Sequence, residues 1–503
     1  MDLDTRICSQ ARLSRDARFD GRFFVGVKST RIYCRSICPV RTVKEANVRY
    51  FPTAAAAAEA GYRSCLRCRP ESSPGTPAWL GTSNTVSRAL RLISESALED
   101  ESVERLAARV GIGSRQLRRL FMRHLGASPI AVAKTRRLHF AKKLIDETNL
   151  SMGQIALAAG FGSVRRFNAA FRQIYQRTPS QIRRLAHLAS GQSENEYRFR
   201  LHFRPPFHWS ALLDFLASRA IPGVESVESS SYLRTIALND HAGSLRVSLA
   251  KEGSALAVHI SFPEPRWLFL IIERVRRMFD LAADPIEVVK SLAVDPLLAK
   301  RIDAMPGLRV PGCWDGFELA VRAVLGQQVS VAAASTLAGR LVQMFGARVN
   351  TSGPLTHLFP IPEVLAQGDL VRIGLPKRRA ETIRALARAV SEGRISFSSV
   401  TNVEGFQSRL REFSGIGQWT AQYIAMRALG DPDAFPANDL GLLRSASMQS
   451  EYELAQRAES WRPWRAYAAM YLWHGGEQVS VNKDVGRTRT KPLRRPRSAA
   501  VAR

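Results

Sequence analysis

The chain has no uninterrupted apolar run near the ~20 residues that a membrane helix requires. "AYAAMYLW", Ala466 to Trp473, is among its longest. Its start, "MDLDTRICSQARL", lacks a basic segment followed by an apolar core, so no secretory signal is read there. These two absences predict a cytoplasmic protein with no membrane partner. Cysteine is scarce, six in 503 residues. In the cytoplasm thiols stay reduced, so paired cysteines favour a metal over a disulfide. Acids are also few, 44 Asp+Glu against 73 Lys+Arg, which leaves a net charge of +29. Such an excess predicts a polyanionic partner, nucleic acid first, although charge alone does not separate this from a solubilising surface.

At this length one hydrophobic core is too few, and three or four domains are expected. "SSPGTPAWLGTS" (Ser72 to Ser83) and "ASGQSENE" (Ala189 to Glu196) read as linkers. The tail from Lys483 has eight basic residues, one acid and no apolar period, and is read as disordered. Between the linkers lies an approximate repeat, "SVERLAARVGIGSRQLRRLF" from Ser102 and "SMGQIALAAGFGSVRRFNAAF" from Ser151. Ala107 and Gly111 in one copy match Ala156 and Gly160 in the other. The small residue lets two helices cross closely, and the glycine permits the turn between them. One copy alone would suit a plain helical bundle. Two copies, each continuing into an arginine-bearing helix, predict tandem helix-turn-helix units with recognition helices over 114–124 and 163–175. Arg115, Arg118, Arg165 and Arg166 are the DNA-contact candidates there. Beyond the second linker, "YRFRLHFR", "LRTIAL", "SLRVSLA" and "ALAVHISF" predict a small antiparallel sheet, and helical patterns run from Trp267 to Gly476.

Four of the six cysteines form two short pairs, Cys34-x3-Cys38 and Cys65-x2-Cys68, with 26 residues between them. This is the spacing of a four-cysteine zinc site. Spacing leaves open whether the metal is only structural or whether one thiolate also reacts. The stretch "DGRFFVGVKSTRIYCRSICPVRTVKEANVRYFPTAAAAAEAGYRSCLRCRP" resembles the zinc domain of Ada-type alkylation-response proteins. The resemblance implies that Cys34 accepts a methyl group from a DNA methyl phosphotriester while Cys38, Cys65 and Cys68 are its fellow ligands. A thiolate is the nucleophilic form, and a zinc–tetrathiolate of formal charge −2 approaches the neutral triester more cheaply than ordinary phosphates. Methylation lowers that charge and is expected to raise DNA affinity. Arg35 and Arg41 flank the cluster as candidate phosphate contacts. The repeat, ending in "AGFGSVRRFNAAFRQIYQRTPSQIR", resembles the AraC-type DNA-binding domain, which implies sequence-specific binding and RNA polymerase as a partner. No PCHR motif occurs, so reversal of methylated guanine is not expected.

"SGIGQWTA" reads as a helix-hairpin-helix whose Gly415 and Gly417 allow backbone N–H groups to face a phosphate. Asp439 follows after a proline-punctuated loop. By itself it reads as a helix N-cap, since "AND" precedes a helical run. Together with "WDGFELAVRAVLGQQVSV", "PANDLGLLR" and "WRPWRAYAAMYLWH", the segment from Tyr197 to Glu477 resembles AlkA-type 3-methyladenine DNA glycosylases. The resemblance implies that Asp439 is catalytic and that Trp419, Tyr423 and Trp473 line a base pocket. Where relatives that also cut the backbone carry a lysine, this chain has Trp419, so a monofunctional enzyme is expected. By the same resemblance, Gln328 stands where a family member has a leucine wedge for the gap left by a flipped base. No iron–sulfur cluster is expected, and a monovalent cation at the hairpin is a candidate.

The combined expectation is a multidomain α+β chain. Residues 1–73 form a zinc-binding methyl-acceptor domain, 84–187 an all-α tandem helix-turn-helix domain, 196–280 a β lobe, 281–480 a helix-hairpin-helix glycosylase lobe and 481–503 a basic tail. It would act on double-stranded DNA as a monomer holding one zinc ion. The competing reading keeps the DNA-binding regulator but makes the glycosylase lobe catalytically inactive.

Overall fold

The structure, a computed structural model, describes residues 3–74, 84–94, 102–185, 195–351, 353–398, 400 and 402–484. Most of both linkers and the tail beyond 484 lie outside the described residues.

A helix capped by the Asp4 carboxylate, α1 (Thr5–Ser14), precedes a four-stranded sheet. Its strands are β1 (Phe24–Val27), β2 (Ile32–Arg35), β3 (Val48–Phe51) and β4 (Arg63–Ser64), in the order β3-β1-β2-β4. The alanine run forms α2 (Ala54–Glu59), capped by Thr53, whose hydroxyl also donates to the Leu125 carbonyl at 2.8 Å. The repeat then folds as α3 (Asn84–Ser94), α4 (Val103–Arg109), α5 (Ser114–Leu125), α6 (Pro129–Glu147), α7 (Met152–Ala158), α8 (Val164–Tyr175) and α9 (Pro179–Leu185). Ala107 and Ala156 are buried where the paired helices cross, and Gly111 and Gly160 turn at φ 78° and 72°. Ser102 and Ser151 cap the leading helices; Ser151 and Gln154 form a reciprocal capping box.

The β lobe comprises β5 (Glu196–His202), α10 (Trp209–Ala217), β6 (Glu225–Glu228), β7 (Ser231–Leu238), β8 (His241–Leu249) and β9 (Ala255–Ser261). Its strands pair antiparallel in the order β5-β9-β8-β7-β6. The period-two reading of "YRFRLHFR" holds, with Tyr197, Phe199 and Leu201 buried and Arg198 and Arg200 exposed. The helical region continues as α11 (Leu268–Met278), α12 (Pro285–Leu292), α13 (Pro296–Ala304), α14 (Gly316–Leu325), α15 (Val331–Phe345), α16 (Pro362–Gln367), α17 (Lys377–Ser391), α18 (Val403–Arg411), α19 (Gln418–Ala428), α20 (Leu440–Ala446), α21 (Glu451–Ala458) and α22 (Arg465–Asp484).

The hydrophobic cores do not follow chain order. One joins the zinc-domain sheet to the first helix-turn-helix, through Phe24, Tyr33, Phe51 and Tyr62 against Leu106, Leu117 and Phe121. Another joins the second helix-turn-helix, the β lobe, α11–α13 and α20–α22. A third holds α14–α19. Asp439 heads α20 on one side of the boundary between the last two cores, and Trp419 and Tyr423 sit on α19 on the other. Trp473 of α22 packs against both. Burial of two apolar faces thus brings these side chains to one boundary.

Candidate functional sites

The strand β2 carries Cys34 opposite Val25 of β1, and the turn after it carries Cys38. Cys65 follows β4, which runs parallel to β2, and its N–H donates to the Tyr33 carbonyl at 3.0 Å. Cys65 and Cys68 are thereby brought back to the first pair, and the four Sγ atoms all lie within 4.8 Å of one another. A tetrahedral zinc ion with Zn–S near 2.3 Å requires S···S edges of about 3.8 Å, so the donor set fits one Zn²⁺. Proton sharing with Cys38 and Cys65 pushes the Cys34 thiol above its ordinary range, and hydrogen bonds from Cys34, Cys38 and Cys68 pull Cys65 below it. Cys34, Cys65 and Cys68 are buried; Cys38 is the most exposed of the four.

Arg35 is not at the surface, in contrast to the expectation of a phosphate contact. Its guanidinium is buried, with Nε 2.9 Å from Asp20 Oδ1 and Nη1 donating to the Cys68 carbonyl at 3.3 Å. Its backbone N–H donates to Cys68 Sγ at 3.3 Å. A buried guanidinium is stable only when paired, and Asp20, also buried, supplies the charge. Arg35 therefore braces the cluster from inside, while Arg41 is exposed. Next to Cys34, the Tyr33 hydroxyl lies 2.8 Å from His139 Nε2 of α6, the helix linking the two helix-turn-helix units. Burial pushes His139 down to about 4. Arg115, Arg118, Arg165 and Arg166 are all exposed on α5 and α8, Arg118 sharing Glu104 at 3.1 Å.

In the second site Asp439 is the N-cap of α20, and its Oδ1 accepts the Leu442 N–H at 2.9 Å. Capping and display are not alternatives. The same carboxylate accepts the Trp419 indole N–H on Oδ2 at 2.7 Å and the Trp473 indole N–H on Oδ1 at 3.0 Å. Trp419 and Tyr423, one helical turn apart on α19, stack with centroids 5.1 Å apart and planes 10° apart; Trp473 stands edge-on to Tyr423 at 6.3 Å. The three rings form one wall. The 5.1 Å between the Trp419 and Tyr423 rings leaves no slot for a third ring between them. Burial raises the Tyr423 phenol, but Arg427 and Arg219 outweigh it and hold it below its usual range. Arg427 Nη1 donates to the Tyr423 hydroxyl oxygen at 2.7 Å.

The hairpin between α18 and α19 turns at Gly415, whose φ is 92° and where a Cβ would lie 2.4 Å from Thr382 Oγ1, so no larger residue fits. Gly417 is the N-cap of α19 without a side-chain cap and faces open space, so its helix N-terminus is available to an anion. Gln328 is exposed at φ 55° on the loop after α14. Gln327 ties that loop to the hairpin: its Nε2 donates to the Gly415 carbonyl at 2.8 Å and to Thr420 Oγ1 at 2.9 Å.

Four family profiles match in order: Metal binding domain of Ada over 7–71, Helix-turn-helix domain over 106–185, AlkA N-terminal domain over 198–315, and HhH-GPD superfamily base excision DNA repair protein over 321–459. The probable bifunctional transcriptional activator/DNA repair enzyme AlkA of Mycobacterium tuberculosis is 42% identical over 478 residues, covering 93% of this chain and 96% of that protein. The chain belongs to this AlkA family of bifunctional activator and repair proteins. DNA-3-methyladenine glycosylase 2 of Escherichia coli is 35% identical over 279 residues, 55% of this chain and 96% of that protein. A solved 3-methyladenine DNA-glycosylase from Archaeoglobus fulgidus matches with TM-score 0.50 and 25% identity, over 56% of this chain and 99% of that one.

In this AlkA family member the structure brings Asp439, Trp419, Tyr423 and Trp473 together, and separately the four cysteines. Three residues with local roles escaped the sequence reading. Gln327 had a signal, its place beside Gln328 in "LGQQVS". Asp20, 15 residues before Arg35, had none. Gly441 is the third: a Cβ there would lie 2.9 Å from Asp439 Oδ1 and 3.5 Å from Trp473 Cδ1.

Proposed function

We propose that this chain carries out two reactions on alkylated DNA: hydrolytic excision of N-alkylated purines at Asp439 and transfer of a methyl group from a backbone methyl phosphotriester to Cys34. The carrying observation is the Asp439 carboxylate held by two indole N–H donors at the head of α20, at the boundary between two cores. Cleaving the glycosidic bond builds positive charge on the deoxyribose, and a preorganised carboxylate stabilises it without reorganisation. The leaving base, cationic when alkylated at a ring nitrogen, is attracted to the electron-rich face of the Trp419–Tyr423–Trp473 wall. Gln328 fills the space that the flipped base vacates, and Gly417 with the first turn of α19 holds a phosphate. Trp419 supplies no amine, so the product is an intact strand with an abasic site.

At the cysteine cluster, the Cys34 sulfur attacks the methyl carbon. A C–S bond forms, the C–O bond breaks, and the electron pair stays on the phosphate oxygen, restoring a diester anion. Bound zinc keeps the attacking sulfur deprotonated at neutral pH. The exposure of Cys38 favours a second reading in which Cys38 takes the methyl. Arg115, Arg118, Arg165 and Arg166 read promoter DNA, and the methylated protein activates transcription. The deciding experiment is release of methylated purines from alkylated duplex. Release by the wild type and none by Asp439→Asn supports the excision reading; no release by the wild type leaves a regulator with an inactive lobe.

A further inference from the structure

On the outer face of the five-stranded sheet, three adjacent strands each place a basic side chain in one row. Arg198 of β5 is paired with His259 of β9, and His259 with Arg246 of β8. Arg198 and Arg246 are exposed and His259 half-exposed. Strands lie 4.7–4.9 Å apart, so the two arginines start about 10 Å from each other across the row. Among the described residues neither Arg198 nor Arg246 makes a side-chain hydrogen bond or ion pair, so both guanidinium groups are open to an outside anion. Burial and both arginines push His259 below its usual range, against a lesser pull from Glu196, so the row's positive field is felt at its centre. Arg200, also exposed, reaches the β8–β9 turn, where its Nη2 donates to the Glu252 carbonyl.

The row adjoins the helix-turn-helix domain. Lys143 of α6 donates to the Arg200 carbonyl at 2.7 Å, and α7 packs beside the turn Pro265–Trp267 that follows β9. Duplex DNA carries one negative charge per ~1.7 Å of its axis, so a segment crossing this face offers phosphates to both arginines at once.

We propose that the Arg198–His259–Arg246 row is a separate docking surface for the phosphate backbone of double-stranded DNA, outside both the hairpin and the recognition helices. It is sequence-independent, because strand-borne arginines on a flat face reach phosphates and not base edges. Its role is to hold the duplex against the β lobe while the other elements engage their targets. It depends on neither reaction proposed above, only on DNA binding.

The test uses the full-length, zinc-loaded chain and a fluorescent unmethylated duplex, with affinity measured by anisotropy across a KCl titration. Arg198→Gln combined with Arg246→Gln removes two phosphate contacts, so the slope of log affinity against log salt falls by about 1.8, equivalent to roughly 60-fold weaker binding at 0.1 M KCl for equal affinity at 1 M. Lys290→Gln combined with Lys300→Gln, exposed lysines on α12 and α13, removes the same net charge elsewhere and serves as control. A slope lowered in the first double variant beyond the control supports the surface. A slope unchanged from the wild type, or lowered equally in both, overturns it.

Discussion

The Trp419 indole N–H donates to Asp439 Oδ2 at 2.7 Å across the boundary between two hydrophobic cores. One residue thus contributes both a face of the aromatic wall and a hydrogen bond to the carboxylate. Trp419→Phe keeps an aromatic face and removes the donor. Hydrogen bonds to charged groups contribute about 1.5–3 kcal/mol, so single-turnover excision should fall by roughly 10- to 100-fold with near-normal DNA affinity. Asp439→Asn should fall further, by at least roughly a hundredfold, as a preorganised charge partner is lost. Equal excision by Trp419→Phe and wild type would sink this role for the hydrogen bond.

Gly441 offers a test that removes no functional group. In Gly441→Ala the new methyl meets Asp439 Oδ1 at 2.9 Å and must displace it or Trp473. Excision should drop by about tenfold or more through kcat, the expected cost of a misplaced reacting group. Thermal stability should hold or rise slightly, because alanine is favoured over glycine in a helix. A normal kcat shows that the carboxylate tolerates the shift.

At the zinc site, Cys38→Ser should lose bound zinc and methyl acceptance together while excision stays within a few fold. Intact-mass and peptide spectra of the wild type after incubation with methyl-phosphotriester DNA should place one methyl on Cys34. A methyl on Cys38 transfers the acceptor role to the more exposed thiol; none on either leaves the metal structural. Arg35→Gln should speed zinc release to a chromogenic chelator, because it unpairs the buried Asp20 and frees the Cys68 carbonyl.

His139 sets a pH dependence at the junction of the zinc and helix-turn-helix domains. Its folded pKa, about 4, lies below the ordinary value of 6.5 because burial outweighs the attraction of Glu71, with Lys142 adding to the drop. The unfolded chain therefore binds a proton below pH 6.5 that the folded chain refuses. This stability is fully present above 6.5 and is lost as pH falls toward 4, by roughly 3 kcal/mol in all. His202, pushed down to about 2 by burial, acts in the same direction, so the measurement is the difference between wild type and His139→Gln. Denaturation of both between pH 7 and 5 should show that difference shrinking below 6.5; a flat difference refutes the assignment.

Much of this architecture was legible because its signals are local. Gly111 and Gly160 stand at fixed offsets from Ala107 and Ala156, and a turn between two helices is settled within a dozen residues. The alternation in "YRFRLHFR" prescribes a half-buried strand by itself. The helix α10 and the strand β6 went unread, since each is short and owes its conformation to the sheet it packs on. The hairpin glycines and Asp439 were readable because capping and turning are properties of adjacent residues. Arg35 was misplaced because its partner, Asp20, becomes a neighbour only after the sheet forms.

By itself the sequence determined the four sulfur donors and their pairing by spacing, the two helix-turn-helix units, the hairpin, and the carboxylate at a helix start. Each follows from short-range geometry and from what a side chain can chemically do. Only the tertiary structure decided which groups meet across the chain: the two indoles on Asp439, Gln327 on the Gly415 carbonyl 88 residues away, and the row of Arg198, His259 and Arg246 across three strands. The physical reason is that burial of apolar faces, which acts without regard to chain order, brings α19, α20 and α22 to one boundary and sets the register that lines up the row.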